Sequence, residues 1–444
     1  MNTIAIDCGA SFIKAAYIID GKITKKIEKN APYKRENRDF LQVKWLSMLA
    51  DMIKEIISEL SEEGDEVVLC ISNEMHGFTL AYENGQLFTD YISWQEDYGK
   101  NICGDENAIE ILSKPNYHED IIKSGMPVRA SLPSSNLLYL YKSGVLQKAK
   151  DKLHFYTLGD YILYDLSGKK VGIHPTNAAA TGLYNLETGQ WNKKLIECCA
   201  GNYIIFPEIE EKVYTFDFRK RTIHAITAIG DQQAALLGAG LKTENQISYN
   251  LGTGAQVSRV SKKMVFSKRY QVRPYFGGMY LLTIPHIPSG RALNVYVRFV
   301  KDVLTQFQIE RTDEEVWDIL LQQAEKNTKE LMNCDMSFFE NAITDEETGR
   351  IGNIHEFGLT LGNLMDSVFT QLEHNLLEIT DRLISDKKNI DSIVFSGGIA
   401  RKVERVRKAI LEQFGDGCCV NVASDETLSG LYYYGQMVTK DIIE

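Results

Sequence analysis

The sequence predicts an α/β chain built as two related domains with a cleft between them. Two observations carry this. A strand, a small-residue turn and a second strand open the chain (Thr3 to Asp7, Cys8–Ser11, Ile13 to Ile19). The series returns at Ile247 to Leu251, Gly252-Thr253-Gly254 and Gln256 to Val260. Each series is followed further on by a helix and then a buried apolar strand, Val67 to Ile71 in the first case and Ile390 to Phe395 in the second.

Each element has a local reason. Asp20-Gly21 is a hairpin signal, so Lys22 to Ile27 returns as a third strand. Leu46, Leu49, Ile53, Ile56 and Leu60 recur at helical spacing. So do Leu361, Val368, Leu372, Leu376, Ile379 and Leu383, ahead of the strand that leads into Ser396-Gly397-Gly398. A helix is expected from Arg401 to Phe414, and a charged surface helix over 308–330. The polar stretch Asn30 to Asp39 reads as an exposed loop. Lys242-Thr243-Glu244-Asn245 separates a small-residue helix from the second series. Domains are therefore expected over 1–242 and 243–444.

Composition narrows the function. The chain has 444 residues, 44% hydrophobic and 25% charged, ordinary for a soluble globular protein. Its net charge is -11, with 49 basic and 60 acidic residues. Nucleic-acid affinity rests on clustered Lys and Arg, so a nucleic-acid partner is not expected. A small anion is not excluded, because backbone amides alone can bind one. No apolar run approaches the roughly 20 residues that span a bilayer, and no signal segment opens the chain. A cytoplasmic protein without a membrane partner is expected. The eight cysteines form no C-x-x-C pair and read as buried reduced thiols.

Several segments offer chemistry. In Asp7-Cys8-Gly9-Ala10-Ser11-Phe12-Ile13-Lys14, a carboxylate ends a strand and a small-residue turn follows. Such a turn can aim N–H groups at an anion while the carboxylate holds Mg²⁺ through water. An ordinary hairpin turn is the plain alternative. Gly252-Thr253-Gly254 repeats the arrangement, with glycines for close approach and a hydroxyl donor. Two such turns in equivalent places suggest a phosphate clamp. Gly397, Gly398 and Ile399, between a strand and a helix, suggest a seat for a nucleotide base. Asp231, in Gly230-Asp231-Gln232-Gln233, stands before a small-residue helix that it could cap. From there it could take the proton of an attacking hydroxyl. Met75, His76, Trp94 and Gln95 combine polar groups with an aromatic face, a pairing suited to sugars. His76 taken singly reads as a structural histidine.

Taken in order, these segments resemble the FGGY carbohydrate kinases of the actin-like, ribonuclease-H-like ATPase superfamily. The resemblance rests on Asp7 to Lys14, Met75-His76-Gly77, Trp94-Gln95, Gly230 to Gln233, Leu251 to Gly254, and Gly397-Gly398. It implies two ribonuclease-H-like domains that bind ATP and Mg²⁺ between them, with a polyol or ketose held mainly by the first. By the resemblance, Asp231 is the catalytic base and also faces the metal, and Asp7 holds Mg²⁺ through water. Gly9, Ala10, Ser11 and Lys14 form the first phosphate loop, and Gly252, Thr253 and Gly254 the second. Gly397, Gly398 and Ile399 form the adenosine segment. Met75, His76, Trp94, Gln95, Asp231 and Gln232 contact the sugar. A homodimer is an open expectation.

Trp94-Gln95, Arg273-Pro274-Tyr275-Phe276 and Gly352-Asn353-Ile354 look most like sedoheptulokinase-like members. The departures are Ala10 for a usual Thr, Glu74 for a common Gln, Tyr98-Gly99 where an Arg is common, and Phe338 to Asn341 in place of Gly-Glu-Arg. They bear on the sugar, leaving xylulokinase-, glycerol kinase- and gluconate kinase-like substrates as alternatives. Two other classes remain: an actin-like ATPase switch, and a sugar-binding protein without turnover.

Overall fold

The computed structural model describes residues 2–32, 40–325, 332–344, 346–415, 418–422 and 425–443. Two sheets organise it. In the first, Asn2–Cys8 pairs antiparallel with Phe12–Ile19 and parallel with Glu66–Asn73. Lys22–Asn30 extends one edge. Arg221–Ile226 and Val213–Phe218 extend the other, and Ile229–Gly230 pairs with the end of Glu66–Asn73. In the second sheet, Gln246–Leu251 pairs antiparallel with Gly254–Ser261 and parallel with Ser392–Ser396. Tyr280–Pro288 and Gln271–Pro274 continue one side, and Cys419–Val422 the other. The repeated strand–turn–strand of the sequence is thus a repeated sheet topology. The parallel partner arrives only after a helix, because a parallel connection cannot be made by a tight turn.

The first sheet is covered on both faces. On one, Leu46, Leu49, Ile53, Ile56 and Leu60 of helix Trp45–Leu60 are buried against Ile4, Ile6 and Ile71. On the other lie Asp231–Gly238 and Glu426–Ile443. These two helices meet backbone to backbone. A Cβ on Gly238 would stand 1.8 Å from the Glu426 carbonyl oxygen, and one on Gly430 would stand 1.8 Å from that of Ala234. The last helix, although it lies beyond residue 242, therefore packs on the first sheet. Between the first sheet's strands, residues 79–205 insert a small sheet of Thr79–Ala81, Leu153–Tyr156 and Ile204–Ile205 with helices around it.

The structure corrects some boundaries. The helix expected over Arg401 to Phe414 is two, Gly398–Lys402 and Glu404–Leu411. Val403, buried with φ -110° and ψ 88°, leaves helical geometry between them. The surface helix expected over 308–330 is Asp313–Ala324, begun by a capping box of Thr312 and Glu315. Residues 326–330 lie outside the described residues, as do 33–39 of the expected loop, and Asn30 still belongs to a strand. All eight cysteines are free thiols. Among the described residues no helix is long and apolar enough to cross a membrane.

Candidate active site

Both sheets point the ends of their central strands at one cavity of about 610 Å³. Asp7 is the penultimate residue of Asn2–Cys8, opposite Lys14 and beside Ser72. The Ser72 hydroxyl donates to its Oδ1 at 2.9 Å. Burial still pushes the Asp7 carboxyl up to about 6, against the opposing pull of Ser72 and Lys14.

Asp231 enters from the short strand Ile229–Gly230. It does not cap the helix: Gly230 holds that position, and Asp231 is the first helical residue. Its Oδ1 accepts the Gln232 amide at 2.7 Å. Burial first, and then the charge of Asp7, raise the Asp231 carboxyl to about 8. Two carboxyls that line one cavity, with the charge of Asp7 raising Asp231, make a donor set suited to a hard divalent cation, which needs few protein ligands.

The sugar-type residues come from the segment after Glu66–Asn73. His76 has φ 68°, and its Nδ1 donates to the Ala180 carbonyl at 2.7 Å. Burial, then the charge of Arg273, hold its pKa down at about 3, so the ring is neutral. A carbonyl can only accept, so Nδ1 carries the proton and Nε2 is left as an acceptor. Trp94 keeps 45% of its surface exposed and donates from Nε1 to the Glu74 carboxylate at 3.1 Å. An aromatic face beside a carboxylate and an imidazole suits a polyhydroxylated ligand.

Of the residues singled out in the sequence, Asp7, Ala10, Met75, His76, Trp94, Asp231, Gln232 and Gly397 line the cavity. Others stand back from the lining. The Gln95 amide donates to Ser93 Oγ at 3.1 Å behind it. Lys14 lies 4.0 Å from Glu28 on the strand surface. Gly9 and the exposed Ser11 form the turn beyond Asp7. Gly252, Thr253 and Gly254 form the outer turn, whose carbonyls take the Gly290 and Arg291 amides at 3.0 and 2.7 Å. Gly398 is exposed, whereas Ile399 is buried in the core and offers a ligand no side-chain surface.

A nucleotide seat is nonetheless compatible with the second wall. Gly397 has φ 88°, and a Cβ there would stand 2.5 Å from the Leu251 carbonyl oxygen. A Cβ on Gly254 or Gly398 would meet nothing within 4 Å. Bare backbone therefore faces open space on both turns, as close approach of a phosphate or a base requires.

Several lining residues carried no assigned role. Asn250 and Gln256 flank the glycine turn and are cross-strand partners. The hairpin register could have put them on one face. Arg273 had only a subfamily signal. It is buried and donates to Gln232 Oε1, to Met75 Sδ at 3.3 Å and to Gln271 Oε1 at 2.6 Å. It joins the second sheet to the helix that carries Asp231. Arg129 and His286, brought together at 2.5 Å, come from distant segments that no local pattern links.

The comparisons agree with this architecture. Residues 2–238 match the model of the FGGY family of carbohydrate kinases, N-terminal domain. Glycerol kinase of Mycoplasma capricolum subsp. capricolum is 28% identical over 187 residues, 39% of this chain and 35% of that protein. Glycerol kinase of Geobacillus kaustophilus is 25% identical over 237 residues, 50% of this chain and 47% of that protein. The chain thus spans between about a third and half of the length of the curated relatives it matches. Ligand-bound xylulose kinase from Lactobacillus acidophilus superimposes with a TM-score of 0.80 at 19% identity, covering 98% of this chain and 89% of that one. Gluconate kinase from the same organism gives 0.78 at 19% identity with the same coverage. Plasmodium falciparum glycerol kinase with ADP gives 0.75 at 16% identity, covering 99% and 90%. At such identities the superpositions show the fold, and the matched model shows the family. The chain belongs to the FGGY family of carbohydrate kinases.

Proposed function

We propose that this chain is an ATP-dependent kinase that phosphorylates a primary hydroxyl of a ketose or polyol, with sedoheptulose or a related sugar as the first candidate. Residues 1–242 bear the sugar site and the base, and 243–444 bear most of the nucleotide site. The observation that carries this reading is the placement of Asp231, half-buried at a helix start and lining the same cavity as Asp7, His76, Trp94 and Gly397.

Asp231 takes the proton of the attacking hydroxyl, and the Gln232 amide fixes the carboxylate that receives it. Trp94, His76 and Glu74 orient the hydroxyls. Asp7 and Asp231 are the residues that would hold Mg²⁺. The turns at Gly9–Ser11 and Gly252–Gly254 would face the phosphates, and Gly397-Gly398 the adenosine. When bound, the cation would supply charge neutralisation at the phosphates. Closure of the two halves excludes water from the cleft.

The test is ADP release from the purified chain with Mg-ATP over ketoses, pentitols, glycerol and aldonates. Turnover on sedoheptulose or xylulose supports the reading. Turnover on glycerol or gluconate alone keeps the kinase and replaces the substrate. Sugar binding by calorimetry with no ADP from any acceptor points to a protein without turnover, and ATP-dependent sedimentation to a polymer-forming switch.

A further inference from the structure

A second cavity, of about 550 Å³, lies behind the wall of the first. Helix His118–Ser124 of the first half and strands Gln271–Pro274 and Tyr280–Pro288 of the second border it. Arg129, Lys268, Arg269 and Arg382 reach it, with His118 at its side, and among the described residues no carboxylate lines it. The chain as a whole has more acids than bases, 60 against 49. The bias in this cavity is therefore local and is not inherited from composition.

The cations are poorly neutralised. Arg382 is paired with Glu378 and donates to the Ala342 carbonyl at 2.7 Å. Arg129 donates to His286 Nε2 at 2.5 Å, and burial lowers its pKa, with the charge of Glu340 opposing this. Lys268 and Arg269 are exposed, and among the described residues neither stands within ion-pair distance of a carboxylate. A solvated basic face would be convex and open. Here Ile121, Phe266 and Ile284 form apolar walls around the charges. Low-dielectric walls lined by one sign of charge focus the field and concentrate the opposite ion.

We propose that this cavity binds a small phosphate ester, at a site that adjoins the catalytic cavity and shares Arg129 and Pro285 with it. A phosphate monoester carries close to two charges and three acceptor oxygens. Guanidinium forks from Arg129 and Arg269 can engage it with paired hydrogen bonds, and Lys268 adds a point charge. A single carboxylate would leave most of the positive charge unmatched. The apolar walls take the carbon skeleton, and the volume falls in the range of small-molecule sites.

Calorimetry on the full chain tests this, with glucose 6-phosphate as the phosphate-ester probe, citrate as the polycarboxylate probe and glucose as the neutral control. Glucose 6-phosphate should bind, glucose should not show the same site, and Lys268→Glu with Arg269→Glu should weaken binding by about tenfold or more. Both residues are exposed, so the melting temperature should hold. If it falls, Lys268→Gln with Arg269→Gln decides, with a smaller loss expected. No binding of glucose 6-phosphate at millimolar concentration, binding of citrate alone, or equal affinity in the charge-changed chain would each overturn the proposal. None of these readouts depends on turnover, so the site stands or falls apart from the kinase reading.

Discussion

The two halves repeat one topology but bring different chemistry to the cleft. Asp7 and Asn250 hold equivalent places, each penultimate in the central strand of its sheet. Asp7 stands across from Lys14 and beside Ser72; Asn250 stands across from Gln256 and beside Ser396. Asp7, Asn250, Gln256 and Ser396 all line the cavity. The first wall therefore presents a carboxylate, joined by Glu74 and Asp231. The second presents neutral amides, a hydroxyl and bare glycine backbone, with Arg273 and Arg401 beside them. For phosphoryl transfer the division is apt: a polyphosphate is repelled by carboxylates unless a cation stands between them. The wall expected to face the nucleotide has its repeat of Asp7 neutralised to Asn.

The largest break in this comparison comes from removing the base. Asp231→Asn keeps the shape and the Gln232 contact but cannot take a proton. Turnover should fall by about 10²–10⁴-fold while nucleotide binding is spared. The pH profile sharpens the point. A protonated carboxyl is no base, and Asp231 in the free chain is pushed up to about 8. The ratio kcat/KM for the sugar should therefore rise with pH through the neutral range toward 8, far above the usual carboxylate range near 4. A profile flat from pH 5 upward, or near-full activity in the variant, removes Asp231 from this role.

Next in size is the glycine pair of the second wall. Gly397→Ala places a Cβ 2.5 Å from the Leu251 carbonyl oxygen at φ 88°. It should cost about 1–3 kcal/mol and lower the melting temperature. Gly254→Ala meets nothing within 4 Å, so it should leave the melting temperature alone and raise KM for ATP. Equal melting losses in both variants would mean that both glycines serve the fold.

Reversing the neutral repeat is a smaller intervention. Asn250→Asp gives the second wall its own carboxylate. At separations within the cleft, one added like charge should raise KM for ATP by about tenfold, with the sugar KM little changed. If KM for ATP does not move, the neutrality of Asn250 has nothing to do with the nucleotide.

Much of this was legible in local pattern. Leu46 to Leu60 declared their helix by spacing, and the two strand–turn–strand series declared the duplication, because both signals are short-range. Asp7, His76, Trp94, Asp231 and Gly397 were legible because a polar or small residue directly follows an apolar strand or stands beside a turn. Arg129, His286 and Arg273 were not assigned, because their juxtaposition depends on how the 79–205 insertion meets the edge of the second sheet. The helix break at Val403 was hidden for a related reason: its buried side chain is satisfied by tertiary packing that overrides local helix preference. The last helix returns to the first sheet through Gly238 and Gly430, which sit far apart in sequence and signal nothing singly.

The smallest effect separates a buried carboxyl that serves the fold from one that serves the cleft. Asp160, like Asp231, stands in the first turn of a helix in the first half. It faces the core: Oδ2 accepts from the Thr157 hydroxyl at 2.5 Å, and Oδ1 has no partner. Burial raises it to about 7, with the Thr157 bonds pulling the other way. An unpartnered buried oxygen accords with a carboxyl that keeps its proton. The folded state then binds this proton more tightly than the unfolded chain, where the carboxyl titrates near 4. Its contribution to stability is full below pH 4 and is lost as pH rises toward 7. Asp160→Asn keeps the Thr157 acceptor and has no proton to lose. Its melting temperature, relative to the parent, should therefore be higher at pH 8 than at pH 5. Asp231→Asn should shift stability in the same direction while cutting turnover by about 10²–10⁴-fold, whereas Asp160→Asn should leave kcat unchanged. Loss of kcat in Asp160→Asn with an unchanged melting temperature would erase the distinction between the two carboxyls.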